Sequence, residues 1–381
     1  MNLALSEEQA LLQRTVREFA AAEVQPRARE IDESGEFPRD TFRKAAELGL
    51  AGVAIPDRYG GAGFDHTSYA IAIEEISRAC ASTGVILSVQ NSLYADPVCR
   101  FGTEEQKEKF LAPFARGERI GCYALTEPQA GSNAAALRTA ATPRGDRYIV
   151  NGVKAWITNG GVADAAIVYV NTDPERGEKG ITALLVERGT PGFRVGKEEK
   201  KLGIHATACT ELSFTDCEVP AENRLGAEGE GYKIALSTLD GGRIGIAAQA
   251  TGIAQGAFEQ ALAYARQRQA FGHPIADFQA IQFMLADMAT EIDAARLLVR
   301  KAAWKQDSGA RFTTEASIAK LFASEMATRV THKAMQIHGG YGYSREYPVE
   351  RMYRDARITE IYEGTSEIQR LIIASAVLRN Y

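Results

Sequence analysis

The sequence predicts a multi-domain α+β protein in which an N-terminal all-α domain and a C-terminal helical bundle flank a middle β-barrel or sandwich domain. Three observations predict this order. Apolar residues recur at helical spacing through the first third of the chain, β-branched and apolar segments follow from about Gly121, and helical spacing returns after Gly229-Glu230-Gly231. Because 381 residues suffice for two or three domains, we place the boundaries at residues 1–120, 121–230 and 231–381.

The N-terminal domain is predicted to be wholly helical. Ser6 and Gln9 have the spacing of a capping box, in which each side chain bonds the backbone N–H of the other residue, so the first helix should begin near Ser6. Further helical patterns are separated by Gly/Pro-rich turns, of which residues 56–63 are an example. These patterns cover residues 39–48, 67–79 and 104–115.

The middle domain shows the patterns of strands. Asn151-Gly152 lies between two short apolar segments, residues 148–150 and 153–158, and this dipeptide is a strong signal for a two-residue hairpin turn. Other strand-like segments cover residues 165–170, 181–186 and 211–219. Because no helices alternate with them, we expect a compact sheet or barrel rather than a βαβ fold.

The C-terminal domain is predicted to be a bundle, because long helical patterns are joined by short connections. These patterns cover residues 232–268, 278–307 and 313–338, and a last helix follows Gly364. Ser366 and Gln369 have a second capping-box spacing at the start of that last helix.

Charge and composition exclude several classes of protein. The 49 acidic and 44 basic side chains give a net charge of -5, which offers no general reason to bind nucleic acid or an anionic membrane. No apolar run approaches the roughly 20 residues that span a bilayer, and residues 1–13 do not have the pattern of a secretory signal. The five cysteines include no C-x-x-C pair, which indicates reduced thiols and a cytoplasmic location.

Most short catalytic and binding motifs do not occur. The five histidines are scattered, and without an H-E-x-x-H or paired cysteines no metal site is expected. The sequence contains neither a G-x-x-x-x-G-K-[ST] phosphate loop nor a G-x-S-x-G nucleophile elbow, and the glycines of residues 60–63 do not form a Rossmann fingerprint. The candidates that remain are longer strings of residues.

Two of these strings lie in the β region. Thr126, Ser132 and Thr158 carry hydroxyls that can hydrogen-bond a heteroaromatic ring or a ligand carbonyl. Trp156 can cover the flat face of a cofactor. A purely structural interpretation, with turn hydroxyls and a core tryptophan, stays open on these residues alone.

The other strings lie in the helical C-terminal region. Glu363 stands between an aromatic residue and a glycine just before the last helix. If it is shielded from water, its pKa is raised and it can act as a general base. The alternative is an ordinary glutamate in a solvated loop. Arg268, with Gln279 nearby, can engage a pyrophosphate, although surface salt bridging is the commoner role of arginine. Residues 336–340 have the pattern of a helix stopped by glycine, which assigns them no chemistry.

Taken together and in this order, these strings resemble the acyl-CoA dehydrogenase family of flavoproteins over nearly the whole chain, from about Leu5 to Tyr381. The resemblance implies an N-terminal helical domain, a middle β domain and a C-terminal four-helix bundle. It also implies a homotetramer, built as a dimer of dimers, with FAD bound at a subunit interface.

The resemblance also implies a role for individual residues. Glu363 matches the catalytic base. The positions that match cofactor-binding residues are Tyr123, Leu125, Thr126, Ser132, Trp156, Thr158, Arg268, Phe271, Gln279, Gln336, Gly339, Gly340, Thr365 and Glu367. The positions that match substrate-binding residues are Ser132, Asp240, Arg243, Tyr362 and Gly364.

The implied reaction is the dehydrogenation of an acyl-CoA. Glu363 would take the α-proton while the β-hydrogen leaves as hydride to the flavin, giving the trans-2-enoyl-CoA. The backbone N–H of Glu363 and a flavin ribityl hydroxyl would polarise the thioester carbonyl. Some relatives place the base at the position of Gly242, where glycine cannot serve. Electrons would pass to electron-transfer flavoprotein, and the strings around residues 239–247 and 353–370 are most similar to short-chain and short-branched-chain enzymes.

Three other functions are weighed against this one. An acyl-CoA oxidase or nitroalkane-type oxidase would return the electrons to oxygen. A flavin-bearing DNA-binding relative would need a basic C-terminal face, but residues 231–381 hold 18 Lys+Arg against 15 Asp+Glu. A catalytically inactive scaffold is disfavoured by the complete Tyr362-Glu363-Gly364 string.

Overall fold

A computed structural model describes residues 4–380 and places helices, strands and helices along the chain in the predicted order. Residues 1–3 and Tyr381, which form the outer ends of the first and last predicted domains, lie outside the described residues. None of the helices in the described part of the chain combines the length and the apolarity that a membrane span requires.

The N-terminal region folds into short helices. The capping box is confirmed, because Gln9 N–H donates to Ser6 Oγ at 3.1 Å and Ser6 N–H donates to Gln9 Oε1 at 3.1 Å. The helix predicted over residues 104–115 is divided at Leu111, before Pro113, whose ring and missing N–H do not permit an uninterrupted helix. The helices are α1 (Glu7–Phe19), α2 (Ala28–Ser34), α3 (Arg39–Glu47), α4 (His66–Ala79), α5 (Ala81–Ser88), α6 (Asp96–Phe101), α7 (Glu104–Phe110) and α8 (Ala112–Ala115).

The helical stretch from α5 to α6 has no counterpart in the predicted elements, and neither do α2 and the later helix Val349–Arg357. The middle part of the stretch, Val89–Ala95, is a π-helix in which every residue is buried. A segment that is buried on all sides has no polar face, so its apolar residues show no helical period. All of residues 81–95 are buried, and the stretch brings Leu93 to the candidate site described below.

The middle region is an eight-stranded mixed sheet. Its order is β6-β7-β3-β2-β4-β5-β8, and β1 pairs with β4 in parallel. The strands are β1 (Gly121–Ala124), β2 (Ala140–Arg144), β3 (Arg147–Ile157), β4 (Ala165–Asn171), β5 (Ile181–Glu187), β6 (Phe193–Glu198), β7 (Thr210–Pro220) and β8 (Arg224–Leu225).

The hairpin turn predicted at Asn151-Gly152 is wrong. Strand β3 continues through both residues, and the turn that joins β2 to β3 is Gly145-Asp146. The pairing of β3 with β7 shifts register between Val150 and Gly152, which marks a β-bulge. Asp216 of β7 holds the bulge, since its N–H donates to Asn151 Oδ1 at 2.8 Å. Pairing with a distant strand therefore overrides the local turn preference of the dipeptide.

The two central strands, β4 and β5, are buried on both faces, which explains their continuous apolar sequences. Alternate residues of β4, among them Ile167 and Tyr169, pack against helical residues such as Phe110 and Phe114. The intervening residues of β4, Ala166, Val168 and Val170, face the other side of the sheet and belong to the same hydrophobic cluster as residues of β7. This packing fixes the β region, and with it β1, against the helices.

The C-terminal region is a bundle of long helices. Close packing joins it to the N-terminal region, since a side chain at Gly252 or Gly256 would overlap the backbone carbonyl oxygens of Glu74 or Arg78. Its helices are α9 (Gly231–Gln267), α10 (Gln279–Asp307), α11 (Thr313–His338), α12 (Val349–Arg357) and α13 (Ser366–Asn380), and a small hairpin of β9 (Gln269–Ala270) and β10 (His273–Pro274) follows α9.

The capping box predicted for Ser366 and Gln369 is wrong. Helix α13 already includes Ser366, and Thr365 Oγ1 accepts from the N–H of Ile368 at 3.4 Å. The Gln369 amide instead donates to the carbonyl oxygens of Glu363 and Gly364, at 3.3 and 2.9 Å. The capping position is thus one residue earlier, and Gln369 holds the preceding turn.

A buried ion pair ties the loop after β1 to strand β3. Lys154 Nζ lies 2.8 Å from Glu127 Oε1, and both side chains are almost inaccessible to solvent. The Glu127 carboxylate also accepts from the backbone N–H groups of Arg138 and Thr139, at 2.6 and 2.9 Å. Although burial opposes it, the charge of Lys154 and these hydrogen bonds lower the pKa of Glu127 to about 2.

We expect Lys154→Met to reduce the free energy of unfolding by roughly 3–5 kcal/mol, because it leaves a buried carboxylate without its partner. The loss in free energy of unfolding should be smaller at acidic pH, where Glu127 in the variant takes up a proton and is no longer charged. Urea denaturation measures both effects. The control is Lys44→Met, whose pair with Glu23 is largely exposed and should contribute about 1 kcal/mol or less. Equal losses in the two variants would contradict the prediction.

Candidate active site

Glu363 lies in the loop between α12 and α13, on a turn of unusual backbone geometry. Its φ is 52°, and that of Gly364 is 96°, so two consecutive residues adopt left-handed conformations. This conformation is unfavourable for a residue with a Cβ, and such strain is held in place only by surrounding contacts. The turn directs the Glu363 side chain inward, towards α9.

The absence of a side chain at Gly242 makes space for the carboxylate. A Cβ at Gly242 would overlap Glu363 Oε2 and would lie 2.8 Å from Leu93 Cδ2. Glu363 Oε2 therefore occupies the place next to α9 where a longer side chain at residue 242 would begin. Only glycine at this position allows the observed position of the carboxylate.

The environment of Glu363 favours a carboxyl group that can exchange its proton near neutral pH. Oε2 is inaccessible to solvent and has no hydrogen-bond partner among the described residues. Burial raises the pKa of Glu363 to about 7, and the positive charges of Lys320 and Arg243 limit that rise. The group is thus a mixture of carboxylate and carboxylic acid at neutral pH.

Two of the predicted substrate-binding residues form a pair beside it on α9. Arg243 is buried and lies 2.5 Å from Asp240 Oδ1, while Thr313 Oγ1 donates to Asp240 Oδ2 at 2.7 Å. Burial raises the pKa of Asp240 and lowers that of Arg243. The Nε of Arg243 has no partner among the described residues, so the guanidinium keeps an unused donor.

Aromatic side chains complete the surroundings of Glu363. Tyr123, on β1, donates from its hydroxyl to the carbonyl of Ala235 at 3.3 Å and interacts electrostatically with Glu363. The Tyr362 hydroxyl hydrogen-bonds Gln249 Oε1, and Gln249 Nε2 donates to the carbonyl of Ala81 at 3.0 Å. The structure thus gathers one group of predicted site residues: Tyr123, Asp240, Arg243, Tyr362, Glu363 and Gly364.

A second group lies where the loop after β1 meets the end of β3. The N–H of Ala155 donates to the carbonyl of Thr126 at 2.9 Å, which places Thr126 beside the predicted Trp156. Trp156 has a φ of 61° and is 58% exposed, so it is not the core tryptophan that the structural interpretation required. The other members are Leu125, which is buried, Thr158, which is half-buried, and Ser132, which is exposed.

A third group lies at the far end of the bundle, about 40 Å along α9 from Asp240 at 1.5 Å per residue. Phe271 is 95% exposed, and the Arg268 guanidinium lies 5.5 Å from the ring centroid of Tyr341. The exposed residues of this group are Arg268, Phe271, Gln279, Gln336, Gly339 and Gly340. Within one chain the structure does not bring them to Glu363. Thr365 and Glu367 lie instead at the start of α13, directly after Glu363.

The sequence prediction missed two buried polar residues close to Glu363. Lys320, on α11, is fully buried and donates to the carbonyl of Gly364 at 2.7 Å. Gln249, on α9, is also fully buried. The available signal was the helical period, because Lys320 lies in a stripe of small residues, Ala316, Ala319 and Ala323, that marks the inward face of α11.

Comparison with known proteins identifies the family. The model of the acyl-CoA dehydrogenase N-terminal domain matches residues 6–118, that of the middle domain matches residues 122–217, and that of the C-terminal domain matches residues 229–378. The chain therefore belongs to the acyl-CoA dehydrogenase family, and the predicted fold class is confirmed.

Individual relatives match over the whole length. The chain is 52% identical to the short-chain specific acyl-CoA dehydrogenase of Clostridium acetobutylicum, with all of both chains covered. The structure of butyryl-CoA dehydrogenase from Megasphaera elsdenii has a TM-score of 0.98 and 48% identity, again over all of both chains. A chain in a structure described as electron transferring flavoprotein of Acidaminococcus fermentans has a TM-score of 0.98, 49% identity and the same full coverage.

We expect Gly242→Ala to displace the Glu363 carboxylate, because the added methyl group would overlap Oε2. The rate of flavin reduction by an acyl-CoA should fall about 100-fold, as expected for a small misplacement of a reacting group. Anaerobic stopped-flow absorbance measures this rate. The control Gly241→Ala adds the same methyl group where it meets only Gln306 Nε2 at 3.7 Å, so its loss should be far smaller. Equal losses in the two variants would contradict the prediction.

Proposed function

We propose that this protein is an FAD-dependent short-chain acyl-CoA dehydrogenase, which converts a saturated short-chain acyl-CoA into the trans-2-enoyl-CoA and passes the electrons to electron-transfer flavoprotein. The observation that carries the proposal is the position of Glu363 Oε2, which is inaccessible to solvent, has no hydrogen-bond partner among the described residues and lies beside Gly242. The names of the relatives support the short-chain substrate and the flavoprotein partner.

Glu363 is the general base of the proposed reaction. A base with a pKa near the working pH combines a large ionised fraction with sufficient basicity, and Glu363 meets this requirement. Its Oε2 makes no competing hydrogen bond, so it can accept the α-proton of the substrate. When bound, FAD supplies the acceptor for the hydride that leaves the β-carbon.

The same loop can stabilise the charge that develops on the thioester oxygen. Among the described residues, the backbone N–H of Glu363 has no hydrogen-bond acceptor. A free N–H next to the base can donate to the thioester carbonyl as it becomes enolate-like. The buried Arg243, with its unused Nε, adds positive charge to this side of the site.

The second group of residues fits the flavin ring. An exposed indole is a flat apolar surface, and Trp156 offers one beside the Thr126 and Thr158 hydroxyls, which can hydrogen-bond ring heteroatoms. We assign the flavin to this surface. Tyr123, Leu125, Ser132, Thr365 and Glu367 are the further flavin contacts of the proposal, and Ser132 also reaches the substrate.

The third group is proposed to serve the FAD of a neighbouring subunit. Arg268 lies about 40 Å along α9 from Gly242, the residue beside the base, which is farther than one dinucleotide reaches. The residues of this group combine a guanidinium, two amides and two glycines whose surroundings are open, a set that suits a diphosphate and a sugar. Exposed apolar side chains on the bundle, such as Phe283 and Leu371, fit assembly into a homotetramer.

The proposed preference for short acyl chains rests on one face of α9. Gly242, Gly245 and Gln249 follow each other on this face, and a side chain at Gly245 would overlap the hydroxyls of Tyr69 and Ser88. The Gln249–Tyr362 hydrogen bond follows one turn later. A long apolar chain that reached these groups would separate them without offering a hydrogen bond in return.

Two further assignments complete the proposal. We propose domain boundaries near residues 120 and 230, in the connections that follow α8 and precede α9. We also propose a cytoplasmic location, which suits the five free cysteines and the bacterial relative.

We expect Glu363→Gln to retain a yellow, FAD-loaded protein, because the amide has the same shape as the carboxyl group. Butyryl-CoA should then fail to bleach the flavin, since an amide cannot remove the α-proton. Anaerobic absorbance titration measures bleaching, and the flavin-to-protein ratio serves as the control for folding. Bleaching at the wild-type rate would refute Glu363 as the base.

We expect Gln249→Leu to shift the substrate preference towards longer chains. The ratio of kcat/KM for hexanoyl-CoA over butyryl-CoA should rise roughly tenfold, the scale of methylene discrimination in apolar pockets. The matched control is Thr251→Val, which removes a buried hydroxyl on α9 that bonds only the carbonyl of Ala247. An unchanged ratio in Gln249→Leu, or an equal rise in the control, would contradict the prediction.

A further inference from the structure

We propose that Lys320 is a positioning residue for the reaction: it holds the turn that presents Glu363 and supplies the unpaired positive charge that faces the Glu363 carboxylate. The inference deepens the proposed function and rests on it. Lys320 lies 43 positions before Glu363 in the sequence, on α11, outside every motif that the sequence presents.

The geometry of Lys320 is that of a buried amine with a single specific partner. The residue is 0% exposed, and its Nζ donates to the carbonyl oxygen of Gly364 at 2.7 Å. Burying an ammonium group costs free energy that a surface position would avoid. Because the carbonyl belongs to the residue after Glu363, the bond acts directly on the left-handed turn.

A second, uncharged donor holds the same carbonyl. Gln369 Nε2 lies 2.9 Å from the oxygen of Gly364 and 3.3 Å from that of Glu363. A side chain at Gly364 would approach Gln369 Nε2 to 2.7 Å. The turn is therefore fixed by one ammonium group and one amide, which differ in charge but share their acceptor.

The charge of Lys320 is the one that stays unneutralised near the base. Arg243, the other cation facing Glu363, is already paired with Asp240 at 2.5 Å. Among the described residues, no carboxylate lies within 4.0 Å of Lys320 Nζ. Of the two cations that lower the pKa of Glu363, Lys320 has the larger effect.

The other titratable groups around this pair come from several elements. Those facing Glu363 are Arg243 on α9, Tyr123 on β1, Tyr69 on α4 and Tyr362 in the same loop. Glu360 and Glu367 act on Lys320 from the same loop and from α13. Burial lowers the pKa of Lys320 to about 8, while the charge of Glu363 and, to a smaller extent, those of Glu360 and Glu367 oppose the decrease. At neutral pH Lys320 is mainly protonated, and the tyrosines are neutral because burial raises their pKa values.

The consequence for the reaction follows from the sign of the charge. A nearby cation stabilises the ionised carboxylate and lowers its pKa. Without Lys320, burial alone would raise the pKa of Glu363 further, and a larger fraction would be protonated and unable to take the α-proton. The acid limb of the pH–rate profile would move to higher pH.

The test measures flavin reduction by butyryl-CoA as a function of pH in the full-length, FAD-loaded enzyme. Lys320→Met and Lys320→Gln both remove the charge, so a folding defect specific to one does not decide the result. In both variants we expect the acid limb of the pH–rate profile to move to higher pH by roughly one unit or more. At high pH the rate should recover. Gln369→Met, the matched control, removes the neutral donor to the same carbonyl and should slow the reaction without moving the limb.

A second readout does not depend on turnover. Infrared difference spectra recorded against pH should show the protonated carboxyl band of Glu363, identified as the band missing from Glu363→Gln. Its titration midpoint should rise in the Lys320 variants by the same amount as the acid limb. This measurement also covers variants that reduce the flavin too slowly for kinetics.

The outcomes separate the two proposals. If the wild-type enzyme does not reduce its flavin with butyryl-CoA, the proposed function fails. If the wild-type enzyme is active but the Lys320 variants keep its acid limb and infrared midpoint, whatever their rates, Lys320 has only a structural role and the inference is overturned. If Gln369→Met shifts the acid limb by the same amount, the effect comes from the lost hydrogen bond to the Gly364 carbonyl and not from the charge of Lys320. That result would also overturn the inference.

Discussion

The burial of one carboxylate oxygen without a hydrogen-bond partner, Glu363 Oε2, is the constraint on which the site depends. Removing an ionised group from water without a partner is costly, and a protein normally avoids it or neutralises the group. Here Glu363 Oε2 is inaccessible and makes no hydrogen bond. The cost is offset by positive charge nearby, from Lys320 and Arg243, and by a pKa near 7 that lets the group exchange its proton.

The fold brings the elements of this site together from distant parts of the chain. Helix α9 contributes the space at Gly242 and the Asp240–Arg243 pair, α11 contributes Lys320, and β1 contributes Tyr123. Their relative positions are held by close helix packing and by the two central strands, β4 and β5, which are buried on both faces. A rigid frame of this kind is required to keep two consecutive left-handed residues in place.

The residues matched to the cofactor are divided between the two ends of α9. Some lie beside the exposed Trp156 or in the loop of Glu363, while the others lie at the end of the bundle, near Phe271. Under the proposed assignment each flavin would need both sets, which would couple assembly to cofactor binding. Assembly and flavin retention would then be linked equilibria, each strengthening the other.

The sequence by itself determined the order of helices, strands and helices, the long helices of the bundle and the cap at Ser6, because periodicity and capping depend on neighbouring residues. It also singled out Glu363 through its local string. The tertiary structure alone decided the bulge at Asn151, where pairing with β7 overrides the turn preference, and the exposure of Trp156. It alone revealed Lys320 and Gln249, since their partners are 44 and 113 residues away, beyond the reach of any local pattern.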